Sequence, residues 1–181
     1  NTPPTPAKRG ARSVLLMATL ALVVVLLALV GSRGISIVEY GKAVPSAGDG
    51  FDGVVVLGGP STLFSNARTV STFSYCAVQR QSAALFVEWI NEQRGGIYIG
   101  TARYAVRFVF VDDASDAVQT SSAMDFAISQ LGVQFAFGGY SSSLTDVAAD
   151  VAESRHTLLL SAGAGSDRIF TSHNNTFGLV Q

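Results

Sequence analysis

Residues 135–145 read Phe135-Ala136-Phe137-Gly138-Gly139-Tyr140-Ser141-Ser142-Ser143-Leu144-Thr145. A short apolar run ends in two glycines and passes through serines into a segment with helical spacing, Leu144, Val147, Ala148 and Val151. Glycines let a backbone approach a ligand closely. The first turn of a helix carries N–H groups with no intrahelical partner, which favour an anion. Serine hydroxyls can cap such a helix or contact the ligand. Ligands of open parallel sheets bind at the carboxyl ends of the strands. The stretch therefore points to binding before chemistry.

Working outward, the same alternation repeats. Val54–Leu57 is a short apolar run closed by Gly58-Gly59-Pro60-Ser61-Thr62, with a polar-aromatic loop over 61–75. A helix is expected over Val78–Gln93, with Ala83, Phe86, Val87 and Ile90 on one face and Arg94-Gly95-Gly96 at its end. Tyr104–Val111 reads as a strand, Asp116–Leu131 as a helix, and Val133–Phe137 as a strand. Leu144–Ser154 reads as a helix, with Ser143 and Asp146 at capping-box spacing. Thr157–Leu160 follows as a strand, and Thr176–Val180 as a further one. Strands alternating with amphipathic helices predict an α/β fold: a parallel sheet with helices on both faces.

The N-terminal part is different in kind. Residues 1–12 are proline-rich and basic and read as a disordered tail. Val14–Val30 carries no charge and, after Lys8, Arg9 and Arg12, has the length of one transmembrane helix. Residues 13–31 are thus expected to be a signal-anchor or a signal peptide. Residues 32–50 read as a tether, and the partial ligand-binding lobe runs over 51–181. This places the globular part outside the cytoplasm, tied to the membrane through residues 13–31.

Charge and composition exclude other classes. Net charge is −1 and no basic cluster lies beyond the head, so nucleic acid is not an expected partner. Cys76 is the only cysteine, so the chain holds no internal disulfide. No spacing of metal ligands, P-loop or dinucleotide fingerprint is present, and neither a metal nor a cofactor is expected. Ser143 stands where a nucleophile elbow needs its second glycine. His156 is separated from Ser141 by a helix that spans roughly 15 Å at about 1.5 Å per residue. No catalytic residues are assigned, and the chain is read as a non-enzyme. Asn174-Asn175-Thr176 is a glycosylation sequon at Asn174 in a eukaryotic setting.

Four stretches in order carry a resemblance. They are Val54–Ser61, Glu88-Trp89-Ile90-Asn91-Glu92-Gln93-Arg94-Gly95-Gly96-Ile97, Phe108–Asp116, and the Gly138–Ser143 turn followed by Leu158–Ala164. Together they resemble the first lobe of type I periplasmic-binding-protein-like domains, a group that includes branched-chain amino-acid binding proteins and receptor ligand-binding regions. The resemblance covers about residues 52–181. It implies two lobes closing on a small molecule, this chain supplying the opening part of lobe one. It implies ligand contacts at Ser141, Ser142, Ala164 and Gly165. Gly165 departs from the family's threonine there.

Tyr140, as a wall of the pocket, and Ser61, in the first strand's loop, complete the candidate set. Ser141 and Ser142 can equally be plain helix caps. Asp112 and Asp113 can meet a cation or amine, or simply end one strand and cap the next helix. The expected function is binding of an amino-acid-like or other carboxylate ligand, in a receptor ectodomain or a transporter's substrate-binding protein. A permease or a second copy of the chain is the expected protein partner. An enzyme on the same fold, or a ligand-free scaffold, is the alternative.

Overall fold

The structure is a computed structural model that describes residues 35–41, 49–64 and 69–179. The expected tail and the membrane segment at 13–31 lie outside the described residues. Among the described residues, no helix is long and apolar enough to cross a membrane.

In chain order the elements are β1 (Ile37–Gly41), β2 (Gly53–Ser61), α1 (Val70–Glu88), a π-helical turn (Trp89–Gln93), β3 (Ile97–Ile99) and β4 (Ala102–Asp112). Then come α2 (Ala117–Ser129), β5 (Phe135–Phe137), α3 (Ser142–Ser154), β6 (Leu158–Ser161), α4 (Asp167–Ser172) and β7 (Thr176–Gly178). They build one sheet in the order β1-β4-β2-β5-β6-β7, with β3 also pairing β4. The β4/β2, β2/β5, β5/β6 and β6/β7 pairs are parallel. β1 and β3 are antiparallel additions to the outer side of β4.

Alternation along β4 explains why helices cover both faces. Val106, Phe108 and Phe110 meet Ala83 and Val87 of α1. Val109 and Val111 meet Ala123, Met124 and Ala127 of α2, and the same cluster takes in Ala148 and Ala152 of α3. A strand buried on both faces loses the polar half of its pattern, which is why Phe108–Val111 of β4 reads as a continuous apolar run.

Several boundaries differ from the sequence expectation. Ile37–Gly41, expected in the tether, is a sheet strand, with Ile37 opposite Val111 and Gly41 opposite Arg107. Gly58–Ser61, expected as a closing loop, continues β2. A Cβ built on Gly59 would lie 2.2 Å from the Phe137 carbonyl oxygen, so glycine is needed for β2 and β5 to approach. Pro60 is tolerated because β2 pairs with β5 only through Leu57 and Gly58, and a proline has no N–H to give.

α1 begins at Val70, inside the expected loop. Its buried stripe is Cys76, Arg80, Ala83 and Val87, at helical spacing. An arginine within that stripe hides the periodicity from an apolar count. Cys76 is a free, buried thiol. β3 and α4 were not expected as elements. They are three and six residues long, too short to show a period.

Candidate ligand-binding site

The carboxyl ends of β2, β4, β5 and β6 meet at one edge of the sheet, and short polar contacts tie them together. After β5 the chain passes through Gly138, Gly139 and Tyr140 into Ser141, the N-cap of α3. Ser141 has a φ of 99°, and its hydroxyl accepts a 3.3 Å hydrogen bond from Leu144 N. Its carbonyl accepts from Thr145 N at 3.1 Å. The cap is therefore Ser141 and not the expected Ser143. Asp146, expected to complete a capping box, instead pairs with Arg168 of α4 at 2.5 Å. A reach across to α4 wins over a reach back to the cap.

The turn after β6, residues 162–166, lies directly against this one. Ser141 N donates to the Gly163 carbonyl at 3.2 Å, and Gly165 N donates to the Ser142 hydroxyl at 3.2 Å. A Cβ on Gly163 would stand 3.0 Å from Gly139 O and 3.2 Å from Tyr140 Cα. Only a glycine lets the two turns touch without displacement. Thr145, fully buried, donates its hydroxyl to Gly139 O at 3.1 Å and fixes the first turn from below.

Each expected site residue has a definite place. Tyr140 is half-buried, and its ring lies on that of Tyr75 from α1, with centroids 4.0 Å apart and planes 7° apart. The neighbouring Tyr75 phenol, foremost, and some burial push the Tyr140 hydroxyl above its ordinary pKa. Ser141 and Ser142 both act within the two turns, one as cap and one as acceptor from Gly165. Ala164 is buried and packs with Ala149 and Ile169, so its side chain belongs to the core. Gly165 is exposed.

Ser61 is fully buried. Its hydroxyl accepts from Arg80 Nη1 at 3.0 Å, and the same nitrogen donates to the Thr62 carbonyl at 2.8 Å. Asn174 is exposed in the α4–β7 connection, where its amide donates to Glu153 at 2.9 Å.

Asp112 and Asp113 lock the strand ends, and neither caps α2, whose N-cap is Asp116. Asp112 accepts from Leu63 N at 2.9 Å. Asp113 is fully buried, and its Oδ1 accepts from the Thr62 hydroxyl and from Ser115 N, each at 2.8 Å. Its Oδ2 has no hydrogen-bond partner among the described residues and lies 3.5 Å from where a Cβ of Gly139 would be. Burial raises the Asp113 pKa, and the charge of Asp112 adds to this against those two hydrogen bonds.

Beside the second turn opens a cleft of about 950 Å³, walled by Tyr140, Gly163, Gly165, Phe170 and Phe177. A smaller cavity of about 450 Å³ between α1 and the end of β5 is lined by apolar side chains, Val78, Phe86, Phe108 and Phe137 among them. Among the described residues, no group of three His, Cys, Asp or Glu side chains is placed to hold a metal ion.

A sequence profile described as periplasmic binding protein matches residues 71–180. The chain belongs to the periplasmic-binding-protein family. No curated protein sequence matches it. Among solved structures, the branched-chain amino-acid substrate-binding protein LivJ of Streptococcus pneumoniae, bound to isoleucine, is 22% identical with a TM-score of 0.58. The match covers 69% of this chain and 33% of that one. The leucine-binding protein LivK of Thermotoga maritima gives 14% identity and 0.53, over 69% and 32% of the two chains. A solute-binding protein of Rhodopseudomonas palustris in complex with 3,4-dihydroxybenzoic acid gives 14% and 0.52, over 69% and 31%. At these identities the likeness is one of fold: an α/β lobe. The chain spans about a third of the length of these structures.

Sequence reasoning named the two turns but missed Tyr75 and Thr145. Tyr75 fell in a stretch read as loop. Thr145 looked like one more polar helix residue, between Leu144 and Asp146, and nothing in the sequence marked it as buried.

Proposed function

We propose that this chain is the opening part of the first lobe of an extracytoplasmic binding protein for small carboxylates, of the amino-acid or aromatic-acid kind. The observation that carries the reading is the paired turn, Gly138–Ser142 against Ala162–Ser166, at the carboxyl edge of a parallel sheet. Leu144 and Thr145 N–H are satisfied by Ser141, which leaves those of Ser142 and Ser143 without an intrahelical partner. These N–H groups and the serine hydroxyls would hold the acid group of a ligand. Tyr140, backed by Tyr75, would form its wall. Isoleucine and 3,4-dihydroxybenzoic acid, named with two of the structures of like fold, share a carboxylate.

The second lobe would come from the remainder of the protein, and hinge closure would trap the ligand between the lobes. Delivery to a permease suits the transporter proteins that share the fold, and residues 13–31 would keep the lobe at the membrane. The test is calorimetric titration of the full-length protein with L-isoleucine, L-leucine and 3,4-dihydroxybenzoate, each against its carboxamide. Binding of at least one acid, with its amide at least tenfold weaker, is the expected result. A tenfold ratio corresponds to about 1.4 kcal/mol. Equal binding of acid and amide, or no binding of any acid, would overturn the reading.

A further inference from the structure

α4 is only six residues long, and it follows directly on the second turn. So short a helix does not hold itself together in water. Its buried contact is Ile169, which packs with Ala164 of the turn and Ala149 of α3. The other anchors come from one face of α3. Asp146 pairs with Arg168, Asp150 with His173, and Glu153 with Asn174 and Asn175.

His173 is the C-cap of α4 and differs from the other anchors in what its ring requires. Nδ1 lies 2.9 Å from the Ile169 carbonyl oxygen, and Nε2 lies 3.1 Å from Asp150 Oδ1. A carbonyl only accepts, so Nδ1 carries a proton. A neutral ring has one proton, and it would turn the lone pair of Nε2 toward a carboxylate. Only the doubly protonated ring satisfies both contacts.

We propose that His173 is a positioning residue for the turn Ala162–Ser166, and that its imidazolium form clasps α4 to Asp150 and thereby holds the turn against Ser142. The chain of contacts is continuous. His173 holds the Ile169 carbonyl, Ile169 packs under Ala164, and Gly165 N donates to Ser142.

The charged groups that face the ring are Asp150, Asp146 and Glu153 of α3, with Arg168 of α4 already paired to Asp146. β7 presents no charged side chain. Burial of the ring opposes its charge. The Asp150 and Ile169 contacts and the charges of Asp150 and Asp146 outweigh it, and His173 titrates above its ordinary value. A raised value means that the clasp is closed in acid and lost as pH rises through the folded-state pKa.

The consequence for ligand rests on the function proposed above, whereas the clasp does not. The test separates them. Hydrogen exchange of the Gly165 and Ile169 amides is measured in the full-length protein at pH 5.5 and 8.5, as protection factors corrected for intrinsic rates. In the unmodified protein, protection falls severalfold at the higher pH. His173→Ala has the low protection at both. Asp150→Asn has the high protection at both, because an asparagine amide donates to the neutral Nε2.

Protection that is independent of pH in the unmodified protein, or that His173→Ala leaves unchanged, would overturn the proposal. L-Isoleucine affinity is then measured at the same two pH values. A loss at pH 8.5 that Asp150→Asn abolishes extends the clasp to the site. Constant affinity beside changing protection keeps the clasp and removes the ligand from this turn.

Discussion

Tyr75 of α1 and Tyr140 of the first turn lie face to face, 4.0 Å between ring centroids and 7° between planes. The two residues are far apart in sequence, so the stack ties the first helix of the lobe to the mouth of the candidate site. Aromatic pairs contribute about 0.5–1.5 kcal/mol beyond the area they bury. Tyr75→Ala is expected to destabilise the lobe by about that amount. It should weaken ligand binding as well, because Tyr140 loses its backing. Tyr75→Phe keeps the stack and removes only the phenol contact, so its affinity should lie near that of the unmodified protein. Urea midpoints and calorimetry on the two variants check this. Equal affinity in Tyr75→Ala would remove Tyr140 from the wall.

The contact between the two turns gives a second prediction. Gly163→Ala forces a Cβ against Gly139 O and Tyr140 Cα, both backbone atoms that cannot swing aside. The expected cost is about 1–3 kcal/mol from strain and displacement. Gly165→Ala is the control, since a Cβ there meets nothing within 4 Å. It should change stability by less than about 0.5 kcal/mol. Thermal midpoints of the pair decide the matter, and equal midpoints would mean that the turns do not need to touch.

The parts of this fold that were legible in the sequence are those where one physical signal acts alone. The helix–strand alternation from Tyr104 to Leu160 rests on burial with a clean period, and it stands within a residue or two. The signal failed where two demands share a segment. α1 buries Arg80 in its apolar stripe, because that side chain holds Ser61 and the Thr62 carbonyl in place. Gly58 and Gly59 read as a turn, because close approach of β4 at the first and of β5 at the second selects the same residue that turns do. The turns of the candidate site were legible from glycine and serine placement. Tyr75, Thr145 and His173 were not, because each gains its place through a partner distant in the chain.

A third prediction concerns the π-helical turn after α1. Asn91 sits in it, and its side chain makes two bonds to one residue of β4. Nδ2 donates to Val106 O and Oδ1 accepts from Val106 N, both at 2.8 Å. The side chain thus acts as a strand neighbour for a fully buried residue. Asn91→Ala leaves both backbone groups of Val106 without that partner, at a cost of about 1–3 kcal/mol for each buried group left unsatisfied. Asn91→Asp keeps the acceptor and loses the donor, so it should fall between. Urea midpoints at neutral pH rank the three proteins. A ranking with Asn91→Ala as stable as the parent would show that the bonds contribute nothing net.

Asp113 gives the last prediction, and its sign follows from its burial. The folded carboxyl titrates above the usual carboxylate value. A raised value means that its contribution to stability is fully present below the unfolded pKa and is lost as pH rises through the folded one. The geometry agrees, since an ionised Asp113 carries a charge on an Oδ2 with no partner among the described residues. Asp113→Asn keeps an acceptor for Thr62 and Ser115 and has no proton to lose. It should therefore match or exceed the parent in stability at pH 7, with the difference shrinking toward pH 4. Glu153, whose pKa is lowered chiefly by its bond from Asn174, runs in the opposite direction and is present in both proteins, so it cancels in the comparison. Urea midpoints of the two proteins at several pH values between 4 and 7 give the difference directly. Parallel pH profiles would mean that the Asp113 carboxyl titrates in the folded lobe as it does in the unfolded chain, and burial would then not set its ionisation.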